Sequence, residues 1–219
     1  MKVLTVIEMQ GRDLLRRRLA LLLLVAVPLA FTSATVHNGS GDAPFTGGIG
    51  MAFSITGIAL FAMLASRPVD PRLLLAGYRG WELILGRLAL LLVVALAVAG
   101  VFCAFLVVAA EPARPGRAVV GVLLVAFVSV PLGLALAAVL PRELEGTLAI
   151  IGIVGVEESL HFDSLGARLL PHYGAARYLV ASENSFEPVA YRWTLYALAW
   201  ALGLLALALA LWWRRTARR

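Results

Sequence analysis

Apolar residues run along this chain in long blocks, and its charged residues fall mostly between them. Windows of about twenty residues, the length that crosses a bilayer as a helix, mark six segments: 19–36, 49–65, 88–110, 119–140, 144–162 and 193–213. Five are ordinary candidate spans. The fifth in order is not. Its uninterrupted apolar run, 148–156, is nine residues long and stops at Glu157-Glu158. Even counted from Gly146 it rises only about 16 Å, at ~1.5 Å per residue, against a hydrocarbon core about 30 Å thick. Carboxylates are costly at that depth and usually face protein or a water-filled path.

The basic residues decide sidedness, because short cytoplasmic loops carry the excess of Lys and Arg. With the N-terminus inside, the inner segments hold fourteen of the nineteen: Lys2, Arg12, Arg16, Arg17, Arg18, Arg67, Arg72, Arg79, Arg87, Arg142, Arg214, Arg215, Arg218 and Arg219. Arg114, Arg117, Arg168, Arg177 and Arg192 are left outside. The basic C-terminal tail is also inside only if the number of crossings is even, so the fifth segment is expected to cross. Its carboxylates would then sit in the outer third of the membrane.

The linkers carry patterns of their own. In 6–15, Ile7, Leu14 and Leu15 alternate with Glu8, Gln10, Arg12 and Asp13 ahead of Arg16-Arg17-Arg18, the pattern of an amphipathic helix lying along the inner surface. The loop 67–87 contains Pro68 and Pro71, an Asp70 able to cap a following helix, and a short apolar-to-basic helix over 73–79 that could meet a soluble partner. Between 159 and 182, leucines and tyrosines recur among polar residues on either side of Pro171. One or two short helices on or dipping into the outer surface are expected there. Trp193 and Tyr196 fall at the outer end of the last span and Trp212 and Trp213 at its inner end, as in interfacial aromatic belts.

Composition agrees. The 219 residues are 61% hydrophobic with only 15% charged, well under the ~25% of soluble domains. No polar stretch is long enough for a separate aqueous domain, so the chain reads as one membrane domain, 1–219. The net charge of +6 and pI near 10.2 do not imply nucleic acid, because the arginines punctuate apolar runs instead of forming a stripe. Cys103, the sole cysteine, reads as a small packed hydrophobe. Lys2 is the only lysine and no G-x-x-x-x-G-K-[ST] occurs, so the chain holds no phosphate-binding loop and is not expected to hydrolyse nucleotide.

Three stretches resemble one family. Leu75-Ala-Gly-Tyr-Arg-Gly-Trp-Glu-Leu-Ile-Leu-Gly-Arg-Leu88 is similar to the segment before the third helix of ABC-2 type permeases, the membrane subunits of type-2 ABC exporters. Pro141-Arg-Glu-Leu-Glu-Gly-Thr-Leu148, with Ile151-Gly-Ile-Val-Gly155, looks like their entry to the fifth helix in bacterial members. Leu170-Pro171 with Arg177-Tyr178 resembles the outer segment that follows. The resemblance implies an all-α, six-span fold with an inner interfacial helix, a coupling helix between spans two and three, and re-entrant outer helices between five and six. It further implies a permease homodimer, or a dimer with a close paralogue, in a bacterial cytoplasmic membrane. Substrate would move by alternating access, driven by ATP and Mg2+ in a separate ABC ATPase subunit, with no cofactor bound by this chain. Leu73, Leu74, Leu75, Gly77, Tyr78, Arg79 and Glu82 would form the ATPase contact, and Arg12, Arg16, Arg17 and Arg18 the interfacial helix. One departure stands out: uncharged residues are more usual in the family where this chain has Glu157-Glu158.

Glu157, Glu158 and His161 are the candidate lining of an outer gate. With Asp163 they also invite a metal reading, since Glu158 and His161 are one helical turn apart, but a single short cluster does not make a metal site. Glu143 and Glu145 suit the positive N-terminal end of the fifth helix. Gly50-x-x-x-Ser54 and Gly133-x-x-x-Ala137 suit close helix packing, and the same spacing would serve a dimer seam. Two other classes compete. A membrane enzyme acting on lipids needs Asp, His or Ser brought together at one depth from several helices, and an ion-coupled carrier needs charged or broken sites in two repeat-related segments. No repeat is visible.

Overall fold

A computed structural model of the chain describes residues 2–38, 42–159, 164–183 and 191–217. All regular structure among them is helical: α1 (Lys2–Arg16), α2 (Arg18–His37), α3 (Ala43–Ser66), α4 (Asp70–Leu75), α5 (Gly80–Ala109), α6 (Pro115–Val139), α7 (Glu143–Ser159), α8 (Leu165–Arg168), α9 (Tyr173–Glu183) and α10 (Tyr191–Ala217). Five of them, α2, α3, α5, α6 and α10, are long and apolar enough to cross a membrane. The chain is therefore a helical, multi-pass membrane protein. At 17 residues, α7 rises only about 25 Å. It matches the fifth apolar segment in place but falls short of the length that the other five reach.

Two helices make the core. Most of α3 and α6 is buried, whereas α2 and α10 are largely exposed. α3 and α6 meet where Gly133 presses on α3: a Cβ there would stand 2.6 Å from the Ala59 Cβ and closer still to the Thr56 carbonyl. Gly50 likewise faces α2, with a virtual Cβ 3.0 Å from Pro28 Cα. Both glycines serve seams within the chain, so neither is free for a dimer seam. α2, α7 and α9 then pack on α3, and α5, α9 and α10 on α6.

The bundle has two unlike ends. The one carrying α1 and α4 is called basal here, the other apical. At the basal end, Val6 is buried against Gly86, which fastens α1 to the start of α5. Leu4 and Leu15 remain exposed, while Glu8 and Arg12 pair along α1 at 2.7 Å. The stretch 6–15 is thus helical, with apolar and charged side chains both on its surface. Trp212 differs from its expected place: it packs on Gly80 and only Trp213 is exposed. At the apical end, α9 tucks between α3 and α6, with Leu179 seated on Gly48 and Gly121. Tyr173 meets Trp193 and Tyr196 edge-on at 5.3 and 5.8 Å, and the Arg177 and Arg192 guanidiniums lie over the Trp193 ring.

Replacing Gly133 by Val should cost about 1–3 kcal/mol through overpacking against α3. Gly152→Ala, where an added Cβ meets nothing within 4 Å, should be neutral or gain up to about 1 kcal/mol from helix propensity. Thermal unfolding of the detergent-solubilised chain measures both.

Candidate functional site

The basal surface is built by turns. α4 was expected over 73–79 but spans Asp70–Leu75 and stops in a Schellman motif. The Tyr78 N–H donates to the Leu73 carbonyl at 3.1 Å and Gly77 N–H to that of Leu74 at 3.0 Å. Gly77, at φ 84°, takes the left-handed conformation such a stop needs. Arg79 then opens α5, and Glu82 accepts the Arg79 N–H at 2.7 Å, which satisfies a donor that would otherwise be orphaned at a helix start.

Asp70 does not cap α4. Its carboxylate takes two bonds from Arg87, one of 3.0 Å, in a fork-to-fork pair with Arg87 only 3% exposed. Such bidentate pairs are geometrically specific, so α4 is fixed to α5. Ahead of it, Arg67 donates to the carbonyls of Ala137, Leu140 and Pro141, placing a cation on the negative C-terminal end of α6. The result is a short, rigidly held helix whose Leu74 and Leu75 point away from the bundle, Leu75 being 90% exposed. Arg72 and Arg79, together with Arg12, Arg16, Arg17 and Arg18 on the neighbouring α1–α2 corner, make this end basic.

At the C-terminal end of α7, Glu157 and Glu158 part company. Glu158 is exposed. Glu157 turns inward with its side chain 9% exposed, accepting His172 Nδ1–H at 2.8 Å and the His172 backbone N–H at 3.1 Å. His172 Nε2 stands 3.0 Å from Ser129 Oγ on α6, with Ser129 fully buried. A line of hydrogen bonds thus ties α7, the turn before α9, and α6. Every polar atom named in it has a partner, as burial in an apolar surround demands. His161 and Asp163 lie outside the described residues. Beside the line is a cavity of about 30 Å³, bordered by Glu157, His172 and Tyr173, which is room for a water molecule. At the other end of α9, burial and then the negative charge of Asp42 push the Glu183 carboxyl above its ordinary pKa.

Sequence reading did not find Ser129 or His172. One signal was available: Ser129 is the only polar side chain in 119–140. The chain matches no known family model and no curated protein, so what it does must be argued from these two ends.

Glu157→Gln keeps the shape but removes the charge from two hydrogen bonds, and should cost about 1–3 kcal/mol. Glu158→Gln on the exposed side should stay within about 0.5 kcal/mol. Unfolding of the two variants side by side gives the comparison, and equal losses would leave Glu157 without a special part in the fold.

Proposed function

We propose that the chain is the membrane-spanning permease subunit of an ABC exporter, moving a hydrophobic or amphipathic compound outward across a bacterial cytoplasmic membrane. The observation that carries this reading is α4, a short helix between the second and third long helices, fixed by Asp70–Arg87 and presenting Leu74, Leu75 and a basic rim to solvent. A rigid apolar knob at a bundle end is what a soluble motor needs in order to push on a membrane domain, and a fully solvated loop would not retain two exposed leucines. The element order supports the same reading. An interfacial helix precedes the bundle, and two short helices, α8 and α9, sit between α7 and α10 at the opposite end.

In this reading both termini are cytoplasmic, the basal end faces the cytoplasm, and α7 crosses as the fifth of six spans despite its length. The exposed apolar faces of α2 and α7, including Leu22 and Leu23 on one and Leu148 and Ile151 on the other, take a second permease. ATP and Mg2+ belong to a cytosolic ATPase bound at Leu73, Leu74, Leu75, Gly77, Tyr78 and Arg79, with Glu82 holding the turn that positions them. Closure of the ATPase pair displaces α4 and shifts the bundle between inward- and outward-open forms. Glu157, through His172 and Ser129, holds α7 against the middle of α6 in one of them.

Co-purification with a cytosolic ABC ATPase tests this. Leu75→Asp should weaken that complex at least about tenfold, since an anchor residue at the centre of an interface contributes about 2 kcal/mol or more. An isolated chain that turns over lipid, with no ATPase bound, would sink the reading.

One observation favours a second reading. Ser129, His172 and Glu157 stand in the hydrogen-bond order of a nucleophile, base and orienting acid, drawn from three elements as a lipid hydrolase would require. Ser129 has no exposed surface, and the adjoining cavity admits water but no acyl group, so the line is better suited to holding helices together. A fluorophosphonate serine probe decides between them. Labelling that disappears in Ser129→Ala establishes the enzyme, and no labelling of the folded protein rules it out.

A further inference from the structure

A second cavity, of about 630 Å³, opens at the basal end between α1, α2, α3 and α5. Its size falls in the range of small-molecule sites, about 300–1,000 Å³, and its lining changes character along its length. Gln10, Asp13, Arg17, Ser66 and Arg87 border one end; Leu24, Val27, Phe53 and Phe61 form walls further in. From Ser66 to Phe53 the α3 wall rises about 20 Å, somewhat more than half of a ~30 Å hydrocarbon core. It is therefore a slot one leaflet deep, apolar inside but for the Ser54 hydroxyl, and polar at its mouth.

Arg87 supplies the second observation. It is 97% buried, at 3% exposure, and two of its nitrogens are engaged by Asp70. Its Nε–H has no acceptor and is itself closed off from the cavity, although Arg87 forms part of the wall. What the wall offers there is a fixed positive charge whose fork is turned to Asp70, and phosphate is the anion that guanidinium suits best. Arg17 stands at the same mouth, flanked by the exposed Arg16 and Arg18. Its pairing with Asp13 is loose, at 3.4 Å and over half exposed.

We infer that this slot binds one anionic phospholipid of the leaflet at the basal face. The phosphate lies between Arg17 and Arg87, and an acyl chain runs inward along Leu24, Val27 and Phe53. Basic pockets between membrane helices recognise anionic headgroups in this way, and the apolar depth separates such an occupant from free phosphate. The bound lipid would fill the space between α1 and α3, beside the α4–α5 pair, and so stiffen the basal end. The site does not depend on the exporter reading, because it needs neither ATPase nor transport.

Gly57 gives a clean test. It borders the cavity, and a Cβ added to it meets nothing within 4 Å, so Gly57→Phe projects a ring into the lipid's place. The full chain would be equilibrated with vesicles of mixed phosphatidylglycerol and phosphatidylethanolamine, solubilised gently, and weighed by native mass spectrometry. The unaltered chain should retain one phosphatidylglycerol, undisplaced by millimolar inorganic phosphate. Gly57→Phe and Arg17→Gln should each lower the retained fraction about tenfold. Gly203→Phe, the same change at an open site on α10, should leave it intact. Arg17 is on the surface, so its variant decides the matter if Gly57→Phe does not fold. Unchanged retention in Arg17→Gln or in a folded Gly57→Phe, equal loss in Gly203→Phe, equal retention of phosphatidylethanolamine, or displacement by phosphate would each overturn the assignment.

Discussion

The seam between α3 and α6 is the contact on which everything else is placed. It is close because Gly133 removes a side chain where the Thr56 carbonyl and Ala59 approach. In lipid there is no hydrophobic drive to bring helices together, so small residues and dense packing must supply the association. The two helices joined this way are the most buried of the long ones, and the others use their flanks. α7 lies on α3 through a narrow stripe, with Gly146 set against Leu60 and followed by Ile150 and Val154. α9 fills the angle between the pair by seating Leu179 on one glycine from each.

Two polar clusters follow, one at the basal end and one within the bundle, and they differ in kind. At the basal end the groups are arginines: Arg67 on the last carbonyls of α6, Arg87 on Asp70. Both relieve unmet backbone or side-chain needs where a helix stops or starts. Within the bundle the acceptor is a carboxylate, Glu157, and its partners come from 15 and 43 residues apart along the chain, counting Glu157 to His172 and His172 to Ser129. A short helix ending in a carboxylate inside an apolar bundle would be costly alone. With the His172 N–H groups supplied, it becomes a fastening.

Much of this was legible in the sequence, and the boundary between what was and was not follows from physics. The long apolar runs, the amphipathic 6–15 and the short helices around Pro171 are local patterns, visible because periodicity and length are local. The carboxylates ending the fifth segment stood out for the same reason, but their separation did not: Glu157 and Glu158 are neighbours, and only packing turns one in and leaves the other out. Asp70 looked like a cap because caps are local, yet a buried Arg87 seventeen residues on competed for it successfully. Gly77 ended α4 early because a left-handed stop there satisfies two carbonyls, which outweighed the apolar run continuing toward Tyr78. Trp212 was read as an interfacial anchor from position alone. The absent side chain at Gly80 gave it a better place.

Arg67 links α4 to the corner between α6 and α7. It sits three residues before α4 and grips the carbonyls where α6 ends and the turn into α7 begins. Any displacement of α4 therefore bears on the α6–α7 corner through one guanidinium, without passing through the apolar middle of the bundle. α7 is short, leans on α3 along a single stripe, and is fastened at its far end by Glu157 alone among its described polar contacts with other elements. A helix held at its two tips and lightly along its length moves as a rod. In the exporter reading a push at Leu74 and Leu75 would tilt that rod against the His172 fastening. Coupling of this kind requires the fastening to have two states, and a hydrogen-bonded line can be broken and remade where a packed glycine seam cannot.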